Sequence, residues 1–538
     1  MTDTNGNSSR SARVLELTPL AHVPQAPSPP VERVPPSPRG PNVELTRQLG
    51  LITAIACGVG SVIASGVFKK PGLMATQLGS PGLLILVWVV AGFATLFGAL
   101  SIAEISGMFR DPGGQYVYFN KGYNRFVGYL YGWATFIVIQ TGSIASIAYV
   151  FADSLGYFVA FPRLAPAWEQ WAIPIPLIGA MTPFKFLGLK LTTVGLIMFL
   201  TTINYLGVKL GSTLVVIFST LKVAIIAAII VLAFTLGHGS LANFTQSATA
   251  FGAGSAGSSS VFLMVIMAMA GAFWAYDGWI NVTYMSGEIK NVQRTLPRAI
   301  AIAVSTVIAI YVLVNLAYLY IVPVGEMARK YHAAQASGGS YIVAIDVADG
   351  FLGKWGGAAI AIAIMISTFG AVNGTTMMSA RIYFAMAREK LFFRQVGEVH
   401  PRFHTPGKSL LLQGSWASVL VLSGTFDQLT DMLIFVTWIF YALAAISVFT
   451  LRRRMPDAHR PYRVWGYPAT TILFVIFAAT FIVLTLYTDI RSYRNGTSPL
   501  INSLMGLVWV ALGIPGYLWW SLTSKPSPTQ ASQGKAAG

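Results

Sequence analysis

Apolar and polar positions alternate along this chain in long blocks: twelve apolar runs of about 20 residues, the length that crosses a bilayer as a helix, are joined by mostly short polar connections. They lie at 49–76, 81–106, 124–152, 188–208, 211–236, 258–286, 297–323, 355–387, 409–425, 429–451, 466–488 and 500–522. The pattern predicts an all-α membrane protein with twelve transmembrane helices, since an open strand cannot satisfy its backbone in lipid. Two runs are interrupted by small or polar residues, Gly58-Val-Gly-Ser-Val-Ile-Ala-Ser-Gly-Val-Phe68 in the first and Ala272-Phe-Trp-Ala-Tyr-Asp-Gly-Trp279 in the sixth. A helix that breaks inside hydrocarbon must turn its freed N–H and C=O groups toward protein, water or a ligand. Paired breaks in two halves of a chain point to a transporter with a binding site near the midplane.

Composition agrees with a bilayer environment. The chain has 54% hydrophobic and 10% charged residues and a mean hydropathy of +0.63, whereas soluble domains carry nearer a quarter charged residues. A net charge of +17 raises nucleic-acid binding, but the basic residues are scattered over short loops without a stripe of interleaved aromatics, so no nucleic-acid partner is expected. Lys and Arg concentrate on the side of the N-terminus, among them Arg381, Arg388, Lys390, Arg394 and Arg452 to Arg454. By the positive-inside rule both termini are cytoplasmic, in a cell (inner) membrane. Residues 1–45, rich in Pro and Ser, read as a disordered cytoplasmic tail, and 523–538 as a second.

Other classes find little support. An intramembrane enzyme needs a nucleophile or metal ligands, and the chain has no His-Glu-x-x-His motif and no phosphate loop. Its six histidines, His22, His238, His332, His400, His404 and His459, fall in tails or loops, so no metal, cofactor or ATP-driven step is implied. A channel would show a carbonyl filter or rings of like residues. Arg110-Asp-Pro-Gly-Gly-Gln-Tyr-Val-Tyr-Phe-Asn-Lys121 reads as a turn entering a short amphipathic stretch. Arg452 to Asp457 with Arg460 to Arg463 read as a basic connector that fixes topology or touches anionic lipid.

Several ordered motifs resemble the amino acid, polyamine and organocation transporter superfamily, and within it the L-amino acid transporter family, as a bacterial-type permease. They are Ile63-Ala-Ser-Gly-Val-Phe68, Ala103-Glu-Ile105 with Pro112-Gly-Gly-Gln-Tyr-Val-Tyr118, Trp274-Ala-Tyr-Asp-Gly-Trp279, Gly287-Glu-Ile-Lys-Asn291 before Leu296-Pro-Arg-Ala-Ile300, Phe369-Gly-Ala-Val-Asn-Gly374 with Ser379-Ala-Arg381, and Arg460-Pro-Tyr-Arg463 before Gly466-Tyr-Pro468. The resemblance implies a LeuT-like inverted repeat of five plus five helices, 46–236 and 258–451, with helices one and six broken and 466–522 outside the repeat. It also implies a sodium-independent L-amino acid exchanger working by alternating access. A proton-coupled symporter and a carrier of cationic amino acids or polyamines are alternatives. Relatives with a glycoprotein partner hold it through a cysteine outside the membrane. The single cysteine, Cys57, lies inside an apolar run, so no disulfide-linked heavy subunit is expected.

A free amino acid carries a carboxylate and an ammonium. Freed N–H groups at a half-helix N-terminus favour the first, and freed carbonyls accept from the second. By similarity to the family motif Ser65 and Gly66 bind the carboxylate, with Ala64 permitting close approach. The carbonyls of Val62, Trp274 and Asp277 accept from the ammonium, and Ala275 and Tyr276 complete that stretch. Trp274 falls where the family has an aromatic gate; Asp277 either contacts substrate or caps the following half-helix. Ile280 and Asn281 depart from the family pattern. Lys222, a lysine in mid-span, matches a family position where an ammonium takes the place of sodium, bridging the first span to the eighth; a shifted proton equilibrium there would instead make it a proton carrier. Ser367, Thr368, Asn373 and Thr375 of the eighth span are polar groups that accept from Lys222 or face the substrate. Thr437 and Trp438 of the tenth are assigned to the side-chain pocket. Glu104 and Glu288 read as helix-end residues or gate elements, and Lys69 and Lys70 as vestibule or interfacial residues.

Overall fold

In the computed structural model the described residues are 50–109, 114–207, 209–247, 261–337, 340–403 and 405–523. The predicted tails lie outside them, Thr523 excepted, as do Pro112 and Gly113 of the second motif. The helices are, in order, α1 Leu51–Val62, α2 Gly66–Leu78, α3 Pro81–Met108, α4 Gln115–Gly122, α5 Arg125–Ala134, α6 Gln140–Leu155, α7 Pro166–Glu169, α8 Leu187–Leu206, α9 Lys209–Thr235, α10 Val261–Tyr276, α11 Val292–Ile321, α12 Val324–Ser337, α13 Val343–Leu352, α14 Lys354–Arg388, α15 Gly407–Ser423, α16 Phe426–Arg454, α17 Ala469–Arg494, α18 Asn502–Ala511 and α19 Gly513–Thr523. A two-stranded antiparallel ribbon, Ile173–Ile175 with Gly179–Met181, sits in the connection before α8.

Nine described helical stretches are long and apolar enough to span a membrane, and the bent pair α1–α2 makes ten. The other two predicted runs overlap α9 and α15.

Local chemistry sets several boundaries. Ser80 and Pro81 open α3, the Ser80 hydroxyl accepting from Leu83 N–H at 3.5 Å. Thr425 and Gln428 form a capping box at the start of α16. Gly79, with φ +58°, closes α2.

Both interruptions are real breaks in hydrogen bonding. α1 stops at Val62, and after Ile63–Ser65 the chain re-enters helix at an angle of 41°. α10 stops at Tyr276; Asp277 and Gly278 separate it from a 3-10 segment, Trp279–Glu288. The breaks touch one another twice. A Cβ on Gly66 would lie 2.5 Å from Ala275 Cα, and one on Gly278, whose φ is +97°, would lie 2.5 Å from the Ser61 carbonyl oxygen. Only glycine permits both approaches.

The twelve-run pattern leaves 324–354 as a connection, but α12 and α13 form there. Val324, Met327, Ala328 and Tyr331 repeat at helical spacing and are buried; the stretch is too short and too polar to read as a span. At one end of the bundle two residues of the basic connector form a structural clamp. Arg452 grips Glu104 of α3 with two bonds, 2.9 and 2.7 Å, and its guanidinium stacks 3.6 Å over Tyr467. Arg460 lies 3.4 Å from the same carboxylate and donates to the last carbonyls of α16. Glu104, 1% exposed, is therefore an interhelical anchor and no helix terminator.

Candidate functional site

A cavity of about 70 Å³ opens where the two breaks meet. Gly60, Ser61 and Ala64 of the first break, and Trp274, Asp277, Gly278 and Asn281 of the second, form two walls. Gln140, Ser143 and Ile147 of α6, Lys222 of α9, and Gly370, Ala371, Gly374, Thr375 and Met378 of α14 form the rest. A cavity needs about 10–15 Å³ to admit a water, whose share of liquid volume is about 30 Å³, so the space has room for more than one water and for a small ligand at most. A π turn, Thr135–Ile139, immediately precedes Gln140; such turns often mark functional positions.

Five of the expected residues line this space: Ala64, Trp274, Asp277, Lys222 and Thr375. Lys222 is 3% exposed, and its Nζ lies 3.4 Å from the Gly60 carbonyl at the end of α1. No carboxylate among the described residues comes within 4.0 Å of it. Asp277 accepts a 2.7 Å bond from the Tyr441 hydroxyl of α16. Trp274 packs edge-on against Phe426 at 5.1 Å.

Other expected residues face elsewhere. The Val62 and Ala275 carbonyls, freed by the two breaks, share the Tyr311 hydroxyl of α11 at 3.0 and 2.9 Å. Tyr276 donates to the Trp88 carbonyl at 3.0 Å and packs between Trp88 and Tyr311, pointing into α3. Trp438 sits against Phe273 at 3.9 Å and among Phe474, Phe477 and Phe481, so it packs in the α10–α16–α17 interface. Asn373 accepts from Asn204 of α8 at 2.8 Å, and Thr368 bonds its own helix at Ile364; neither engages Lys222. Thr437 lines a smaller neighbouring space with Asp277 and Asn281, its hydroxyl without a partner. Ser65 is fully buried with an unpartnered hydroxyl, and no side chain caps the N-terminus of α2. Gly66 is the contact point with α10.

Sequence reasoning passes over Tyr311, Tyr441, Gln140 and Ser143. A tyrosine or serine in an apolar run resembles packing, and the only local signal is that a buried hydroxyl needs a partner.

Toward the other end of the bundle from Glu104, α2 is held by two lysines. Lys69 pairs with Asp153 at the end of α6, and Lys70 binds Asp427 at 2.7 Å and Thr430 at 2.8 Å. Tyr331 of α12 donates to the same Asp427 at 3.0 Å. These lysines are buried ion-pair partners and no exposed vestibule lining. Nearby, the Tyr341 hydroxyl donates to Asp346 at 2.8 Å, and burial with that carboxylate raises its phenol above the usual range.

Comparison with known proteins gives this arrangement a context. Residues 49–512 match the family described as amino acid permease. The chain is 31% identical to the serine/threonine exchanger SteT of Bacillus subtilis (strain 168) over 472 residues, 86% of this chain and 96% of that one. It is 28% identical to the human b(0,+)-type amino acid transporter 1, covering 82% of each. Identity to the human cystine/glutamate transporter is 26%, over 90% of this chain and 87% of that protein.

Proposed function

The chain belongs to the amino acid permease family, a family of membrane transporters and no enzymes, and on that premise we propose that it is a sodium-independent exchanger of small L-amino acids working by alternating access. The observation that carries the reading is the cavity shared by the two breaks, small and lined by groups of both charge signs. The substrate carboxylate lies toward Ser65 and the uncapped N-terminus of α2, where a dipole end and free N–H groups favour an anion. Its ammonium lies toward Asp277, whose carboxylate is fixed by Tyr441 and attracts a cation strongly in a dry site. Trp274 closes the space on the side of Phe426.

Lys222 supports independence from sodium. Its ammonium already stands beside the Gly60 carbonyl, between α1 and the α14 wall, and a second cation there would meet like charge. The small cavity suits alanine, serine or threonine better than aromatic substrates. Twelve spans, two inverted repeats at 46–236 and 258–451, and cytoplasmic termini in the cell membrane complete the reading. In that orientation the Lys69 and Lys70 contacts close the outer route and the Glu104 clamp lies near the cytoplasm.

Equilibrium binding of labelled L-serine to the purified protein tests the site. Equal affinity in sodium and choline buffers, with at least a tenfold loss in Asp277→Asn, is expected. A requirement for sodium, or full affinity in Asp277→Asn, contradicts it.

A further inference from the structure

A second cavity, of about 550 Å³, lies between the end of α6, the connection that follows it, the start of α8, and α12–α13. Its size falls in the range of sites for drug-sized ligands, about 300–1,000 Å³. Phe161, Phe186, Tyr157 and Tyr341 give it aromatic walls. Its three carboxylates differ in their partners. Asp153 is held by Lys69, and Asp346 by Lys330 at 2.7 Å and Tyr341 at 2.8 Å. Asp349 accepts only neutral donors, the Tyr157 hydroxyl at 3.2 Å and the Gly357 N–H at 3.1 Å, with no cation within 4.0 Å among the described residues. A lining carboxylate without a counter-charge complements an ammonium. Arg163, stacked over Phe186 at 5.1 Å and paired with Glu169, and Lys330, paired with Asp346, line the same space, so a ligand carboxylate would share these cations with their protein carboxylates.

We propose that this cavity is a second amino acid site, which takes a zwitterion with a large aromatic side chain and, by holding α6 against α12–α13, inhibits exchange through the central site. The inference rests on the central-site reading given above. Its mechanical part follows from the lining. Asp153 belongs to the cavity and also grips α2 through Lys69, while α12 reaches Asp427, and through it Lys70, by Tyr331. Opening the outer route requires α2 to part from these partners. A ligand wedged among the elements that carry them opposes that parting. The central cavity, about 70 Å³, is too small to carry the same ligand across.

The test uses the full chain in liposomes, with labelled L-serine uptake measured against increasing external L-tryptophan. Tryptophan is expected to lower the maximal rate without raising the half-saturating serine concentration, and not to accumulate inside. Asp349→Asn keeps an acceptor oxygen for Tyr157 and Gly357 but removes the charge. It should leave serine uptake unchanged and raise the inhibitory tryptophan concentration at least tenfold. Ala333→Trp, which places an indole in the same space, should remove the sensitivity. Competitive inhibition, accumulation of tryptophan, no inhibition, or wild-type sensitivity in both variants overturns the proposal. Were serine not taken up at all, the central-site reading would fail by itself. Labelled tryptophan binding to the purified protein, lost in Asp349→Asn, would then support the second site, and its absence or its persistence in that variant would refute it.

Discussion

Tyr311 carries a single hydroxyl proton between two carbonyls, one from each broken helix. Its ring is also locked against Trp88 and Tyr276. Tyr311→Phe keeps the ring and strands both carbonyls, so it should cost about 1–3 kcal/mol, read as a lowered unfolding midpoint in detergent; an unchanged midpoint would deny the bridge. Lys222 acts differently, as a charge. Lys222→Ala should leave the protein monodisperse and folded while uptake falls below about a tenth of wild type, since several kcal/mol ride on a buried ammonium; unaltered sodium-independent uptake would remove it from the mechanism. Lys222 and Asp277 were legible in the sequence because a charge inside an apolar run is costly and has few innocent explanations. The packing partners of Trp438 and Tyr276 were not legible, because an aromatic residue declares that it is buried and leaves open against what. Their direction depends on Phe474, Phe477 and Phe481 in one case and on Trp88 in the other, all distant in sequence.

Between elements, the decisive contacts are those that bring the two breaks together. Gly66 against Ala275 and Gly278 against Ser61 leave no room for a side chain. Gly66→Val should therefore force α2 from α10 and abolish L-serine binding, measured on purified protein, with Gly66→Ala impaired less. Full affinity in the valine variant would show that the close approach is dispensable. The position of each break was readable within a few residues, since small and polar residues gather where hydrogen bonding lapses. α12 and α13 were not, because their apolar stripe is short and lies between charged residues. Their contacts rest on Tyr331, which reaches Asp427, and on the Lys330–Asp346 pair that ties α12 to α13, which as sequence are ordinary loop residues.

For the whole molecule, the ordered motifs are enough to identify the family, and the match over residues 49–512 agrees. Which contacts close which end was not legible. Lys69 and Lys70 find Asp153 and Asp427, and Glu104 finds Arg452 and Arg460, only when distant helices are brought side by side. In the proposed mechanism the first set shuts the outer route while a small substrate is held at the breaks, and the carrier exchanges amino acids without sodium. Counterflow tests this most directly: labelled L-serine uptake into liposomes that contain the purified protein, with the lumen empty or loaded with unlabelled serine, in sodium and in choline. Rapid uptake only into loaded vesicles, equal in both salts, is the predicted result; uptake into empty vesicles driven by a sodium gradient would contradict it.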